Sequence, residues 1–138
     1  MANWTGIART NYVFPGNLEE IEKVAKRFDL RVISEDERIG FVADTDDGGW
    51  PSNTYDEDLE DDVEFDVTTM LMPHIKEGEV LVVMEAGSEK ARYASGYAKA
   101  YIRNGDVCRM VSVSLNDIFA KAAAEFAVDV SVITNASY

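Results

Sequence analysis

The chain is poor in residues that build ready-made chemistry. Among its 138 residues there is one cysteine, Cys108, and one histidine, His74. A single cysteine excludes an intramolecular disulfide and any multi-cysteine zinc site, and a single histidine excludes a multi-histidine metal centre. No apolar run approaches the roughly 18 residues of a membrane span. The opening, MANWTGIART, lacks the charged and apolar blocks of a secretory signal. There is no Walker loop and no GxGxxG. Ser88 and Ser95 lack the strand–turn–helix setting of a nucleophile elbow. These absences point to a cytoplasmic, non-enzymatic protein with no cofactor and no membrane contact.

Basic residues are also missing from one place. Residues 44–66, DTDDGGWPSNTYDEDLEDDVEFD, hold eleven acids and no Lys or Arg. The formal net charge is −13. Residues 1–43 have seven acids and six bases, and residues 67–138 have eight acids and seven bases. Both flanks are therefore near neutral, and one segment carries nearly all the charge. That segment disfavours direct contact with nucleic acid or an anionic membrane. It suits a basic protein surface, a cation, or plain solubility.

What is present reads as one α+β domain over 1–138, with an acidic loop or insertion at 44–66. Residues 3–14 are aromatic and β-branched and predict a strand that Gly6 bends and Pro15-Gly16 ends. Asn17 caps a helix over 18–28, with Leu18, Ile21, Val24, Ala25 and Phe28 on one face. Strands follow at 30–35 and 38–44 as a hairpin. After the acidic loop a short strand covers 63–67, and Asp66 caps a helix over 66–75 that Pro73 limits. Strands at 79–86, 91–103 and 107–113 form a meander, with Asn104-Gly105 as the hairpin turn. A last helix, 116–127, is capped by Ser114 or Asn116 and turns Ile118, Phe119, Ala122, Ala123 and Phe126 to the core. DVSVITNASY continues as an extended tail. The order matches a ferredoxin-like β-α-β-β-α-β unit with a C-terminal hairpin and helix added, its sheet antiparallel or mixed and its helices on one face.

Three groups of residues could carry function. Asp56, Glu57, Asp58, Glu60, Asp61, Asp62 and Glu64 form the charge block. Such blocks commonly stay solvated, but Trp50, Tyr55, Leu59, Val63 and Phe65 interleave with it and favour a shaped surface that stands in for nucleic-acid phosphates. Asp44, Asp46 and Asp47 before Gly48 resemble the start of a calcium loop. Counting from Asp44, Gly48 takes the fifth position and Tyr55 the twelfth, where ligands are required, so a polar turn is the better reading. Strand 91–103 places Tyr93, Tyr97, Lys99, Tyr101 and Arg103 on one face, either a stacking platform for single-stranded nucleic acid or a face packed under the C-terminal helix. Its other face, Arg92, Ala94, Gly96, Ala98, Ala100 and Ile102, is small enough for a helix to approach closely. A catalytic pocket would have to be built from residues such as Arg9, His74 and Glu85, and Cys108 in its apolar strand reads as a core thiol.

The stretches MANWTGIARTNYVF and MEAGSEKARYASGYAKAYIRNGD…SLNDIFAKAAAEF resemble small acidic proteins of bacterial plasmids, integrative elements and phages. The Met-x-Asn-Trp opening is similar to that of phage proteins with a ferredoxin-like domain. The resemblance implies accessory genes that defend or maintain a mobile element, among them anti-restriction and anti-CRISPR inhibitors, several of which mimic DNA. It assigns no site residue. The partner expected is a basic protein surface such as that of a nucleic-acid-binding enzyme.

Overall fold

A computed structural model describes residues 4–136. The fold is α+β. Six antiparallel strands form the main sheet in the order β2-β3-β1-β6-β7-β8, and two more, β4 and β5, form a separate hairpin. Their ranges are β1 Trp4–Thr10, β2 Leu30–Glu35, β3 Arg38–Ala43, β4 Asn53–Asp56, β5 Asp61–Glu64, β6 Val80–Glu89, β7 Tyr93–Asn104 and β8 Val107–Ser114. Three helices accompany them: α1 Leu18–Arg27, α2 Val67–Met70 and α3 Asp117–Phe126.

α1 forms where its caps and charges agree. The Asn17 side chain accepts from the Glu20 amide, Glu19 and Glu20 lie in the first turn, and Lys26 and Arg27 in the last. Ile21, Ala25 and Phe28 are buried, whereas Leu18, expected in the core, is 42% exposed. Asp29 adopts a positive φ of 57° and turns the chain directly into β2. The expected helix over 66–75 is shorter. Asp66 does cap it, accepting from the amide and hydroxyl of Thr68, but Pro73 falls in a separate 3-10 turn, Met72–His74.

The core occupies one face of the sheet. Successive strand residues point to opposite faces. Thr10, Val83 and Lys99 lie in register on one face, as do Ala8, Glu85 and Tyr97. On that face Ile39, Phe41, Leu81 and Val83 pack against Ile21, Ala25 and Phe28 of the α1 segment and against Leu71, Met72 and Ile75. Thr10 is 3% exposed and fully bonded, donating to the Asn11 carbonyl at 2.8 Å and accepting from the Phe41 amide at 2.9 Å.

One expectation is extended and two fail. Gly6 does more than bend β1: a Cβ there would lie 2.2 Å from the Trp4 ring, and one at Gly87 would lie 2.3 Å from it. The two glycines form a floor on which the indole lies flat, its Nε1 donating to Ser95 Oγ at 3.2 Å. The C-terminal helix does not face the core. No residue of α3 is buried, and Ile118 and Phe126 are 59% and 71% exposed. Its amphipathic face is only half covered: Phe119, Ala122 and Ala123 are half-buried, Phe119 beside Tyr93 and Ser95, while Ile118 and Phe126 face outward. The Asp117 carboxylate accepts from the Ser114 amide, while Asn116 makes no side-chain cap. The expected extended tail begins instead with a 3-10 turn at Val130–Val132, and its last two residues, 137–138, lie outside the described residues.

Candidate functional site

The acidic segment folds back over the core face, and a series of anchors holds it there. At its start the Asp47 carbonyl accepts from the Gly6 amide at 2.9 Å. Gly48 sits at φ +82° directly against the Gly6 carbonyl, a close approach that only glycine permits. The Glu85 carboxylate accepts from the Trp50 amide at 2.5 Å. Phe65 then closes the segment, stacking on Phe28 with ring centroids 4.5 Å apart and tilting toward Trp50 at 5.9 Å. The Phe65 amide donates to the Ser52 carbonyl.

Between these anchors the chain projects as the β4–β5 hairpin. Asn53 pairs with Glu64, Thr54 with Val63, Tyr55 with Asp62 and Asp56 with Asp61. The loop expected here is therefore half strand. Thr54 and Val63 share the inner face, and Val63 packs against the core. Like charges directly opposite on a hairpin repel. Asp56 is the exception among the acids because Arg27, at the end of α1, meets its Oδ2 at 2.7 Å. The other Asp56 oxygen accepts from the amides of Asp58 and Leu59 and closes the turn. Asp56 is thus a structural residue. Glu57, Asp58, Glu60, Asp61, Asp62 and Glu64 are exposed, with Leu59 at the tip 68% exposed among them.

Asp44, Asp46 and Asp47 do not assemble a cation site. The Asp47 carboxylate points into its own turn, accepting from the Gly49 amide at 2.9 Å and the Thr45 hydroxyl. Among the described residues no group of three or more His, Cys, Asp or Glu side chains could hold a metal ion. The polar-turn reading describes this stretch.

Most of the tyrosine face of β7, Tyr97 to Tyr101, lies beneath the acidic segment, and only Tyr93 lies beside the C-terminal helix. Tyr97, Lys99 and Tyr101 line a hollow of about 370 Å³ with Trp50, Phe65 and Asp66. Tyr101 is 8% exposed. The Arg103 guanidinium is occupied by the carbonyls of Met72, Ile75 and Gly105. Lys99 Nζ rests 5.3 Å from the Tyr97 ring centroid. Burial, then the Glu85 carboxylate, then Tyr101 push the Tyr97 hydroxyl up to about 12. Tyr93 stands apart, beside Asn116 and Phe119. Five side chains in a row on the strand therefore do not make an open row for stacking bases.

Arg9, His74 and Glu85 do not converge either. Arg9 and Glu85 border a groove that His74 does not reach. Burial pushes the Cys108 thiol up, against the opposing effect of Arg103, which disfavours a thiolate nucleophile. The sequence marks Trp50 and Phe65 as residues that shape the acidic segment, but not Arg27 and Glu85 as its anchors. Arg27 reads as a helix-dipole residue, and nothing local ties it to Asp56, 29 positions on.

Among the described residues no helix is long and apolar enough to cross a membrane. No family model, curated protein or solved structure matches the chain. The functional reading rests on the site's own geometry.

Proposed function

We propose that the protein is a non-enzymatic accessory protein of a mobile element, working in the cytoplasm, that binds a basic protein surface through the β4–β5 hairpin as a surrogate for nucleic acid. The observation that carries this is the ordered display of charge. Six exposed carboxylates, Glu57 to Glu64, occupy a hairpin of two four-residue strands and the turn between them. At a rise of about 3.3 Å per residue each strand spans ~13 Å and the turn extends it to roughly 20 Å, so the six charges come about one per ~3 Å, the same order as the ~1.7 Å of a DNA duplex. A solvated acidic run has no reason to be tied down by an aromatic stack, a buried hairpin face and an ion pair. Inhibitors of the anti-restriction or anti-CRISPR kind need such a surface, because the enzyme they block recognises regularly spaced phosphates.

The scaffold reading fits the same proposal. The order β2-β3-β1-β6, all antiparallel, with α1 crossing from β1 to β2, supports a ferredoxin-like unit. In that reading α2 is reduced to one turn, the acidic hairpin is an insertion before it, and β7, β8 and α3 are additions.

The test is displacement from DNA. Bacterial DNA-binding proteins are loaded on DNA-cellulose at low salt and challenged with the purified protein. The proposal expects release of a discrete nucleic-acid enzyme by the wild type. It expects none from a variant with Glu57, Asp58, Glu60, Asp61 and Asp62 changed to Lys. Release by both, or by neither, counts against it.

A further inference from the structure

The second face of the main sheet is bare. Alternation places Ile7 and Arg9 of β1 on it, together with Val80, Val82 and Met84 of β6, Ala98, Ala100 and Ile102 of β7 and Val107, Arg109, Val111 and Val113 of β8. Met84, Val107, Val111 and Val113 are 57%, 62%, 68% and 55% exposed. A groove of about 460 Å³ runs along it, floored by Gly96 and Ala98 and closed by Leu115. The small residues of β7 that suit close approach by a helix have no helix over them among the described residues.

α3 has the opposite deficit. It is a ten-residue amphipathic helix with no buried residue. Ile118, Ala122 and Phe126 recur at four-residue spacing and form one stripe. It is not free to swing onto its own sheet, because Leu115 donates its amide to the Gly96 carbonyl and its side chain packs on Gly96, while Asp117 caps Ser114.

We propose that two copies of this chain form a two-fold dimer in which α3 of each copy lies across the bare sheet face of the other. The sheet face lacks a helix, the outward Ile118 and Phe126 of the helix lack a cover, and the same chain supplies both. A two-fold axis satisfies both deficits at once, since a surface that pairs with itself closes after two copies. Ile7, Met84, Val107, Val111 and Val113 on the face and Ile118 and Phe126 on the helix are each more than half exposed, a contiguous apolar surface of the kind that marks an interface. The charges do not oppose the join: Arg9 and Arg109 lie on the face, Glu125 and Lys121 flank the helix stripe, and the acidic hairpins sit on the opposite side of the sheet. The dimer does not depend on the acidic-surface reading.

Sedimentation equilibrium decides this, with far-UV circular dichroism as the folding control. The wild type should run at twice the 15.3 kDa chain mass. The double change Ile118→Glu with Phe126→Glu should run at the monomer mass with an unchanged spectrum, since neither side chain is buried in its own chain. Val111→Lys, on the sheet side, should do the same. A monomeric wild type overturns the proposal, whether α3 is solvated or closed on its own sheet. So does a dimer that survives the α3 change, which would place the join at a strand edge or elsewhere. If Val111→Lys does not fold, the α3 variant alone decides between the two outcomes.

Discussion

At the scale of single residues, the fold depends on a few polar groups placed where an apolar side chain would otherwise stand. Thr10 is the clearest. Its hydroxyl bonds both the Asn11 carbonyl and the Phe41 amide in the core. Thr10→Val keeps the shape and leaves that buried amide without its partner, so urea denaturation should show a loss of about 1–3 kcal/mol. Tyr97 makes a pH-dependent contribution. In the fold its hydroxyl keeps its proton to about 12, against an ordinary value of 10. A raised folded value means stability is whole below pH 10 and is lost as pH climbs toward 12, because the unfolded chain releases the proton first. Tyr97→Phe should therefore lose less stability than the wild type between pH 10 and 12, measured by the urea midpoint. Little of this is legible in the sequence. Nothing local marks Thr10 as a bridge to Phe41, or Gly6 and Gly87 as a floor for Trp4, since each depends on a strand pairing 31 or 81 positions away.

Elements set by local chemistry are the legible ones. β2 and β8 lie at or within one residue of the expected limits because Asp29, Asp36 and Gly105 adopt the positive φ that their turns require. α1 follows from Asn17 and its charge gradient. The acidic hairpin is not legible. Its strands are four residues long and rich in Asp, which is poor in strands, and their stability comes from Phe65, Val63 and Arg27 rather than from propensity. α3 is legible as a helix but not in its packing, since periodicity gives a face and not what covers it. Phe65 tests the hairpin's dependence on its anchor. Phe65→Ala removes the ring stacked on Phe28 and should cost about 3–5 kcal/mol in global stability. The chymotryptic site at Tyr55 should then be cut faster than in the wild type at equal fraction folded.

Across the whole molecule, charge and greasiness are segregated. One side of the sheet carries the acidic hairpin above the core. The other carries an apolar face whose charged side chains are mostly arginines. A net charge of −13, concentrated on one projection, opposes folding through self-repulsion. The melting temperature should therefore rise as salt increases from ~0.02 to ~0.3 M and the Debye length shrinks. A variant with Asp61→Asn and Asp62→Asn should melt higher at low salt and show a flatter rise. The proposed binding requires that this charge be held in a fixed shape and not be a solvated run. Hydrogen exchange over the full chain tests it most directly. The amides of 53–56 and 61–64 bonded across the hairpin should exchange well below the unstructured rate, with Phe65 among the slowest of the segment. Exchange of all of 53–64 at the rate of an unstructured peptide, while β1, β6 and β7 stay protected, would contradict it.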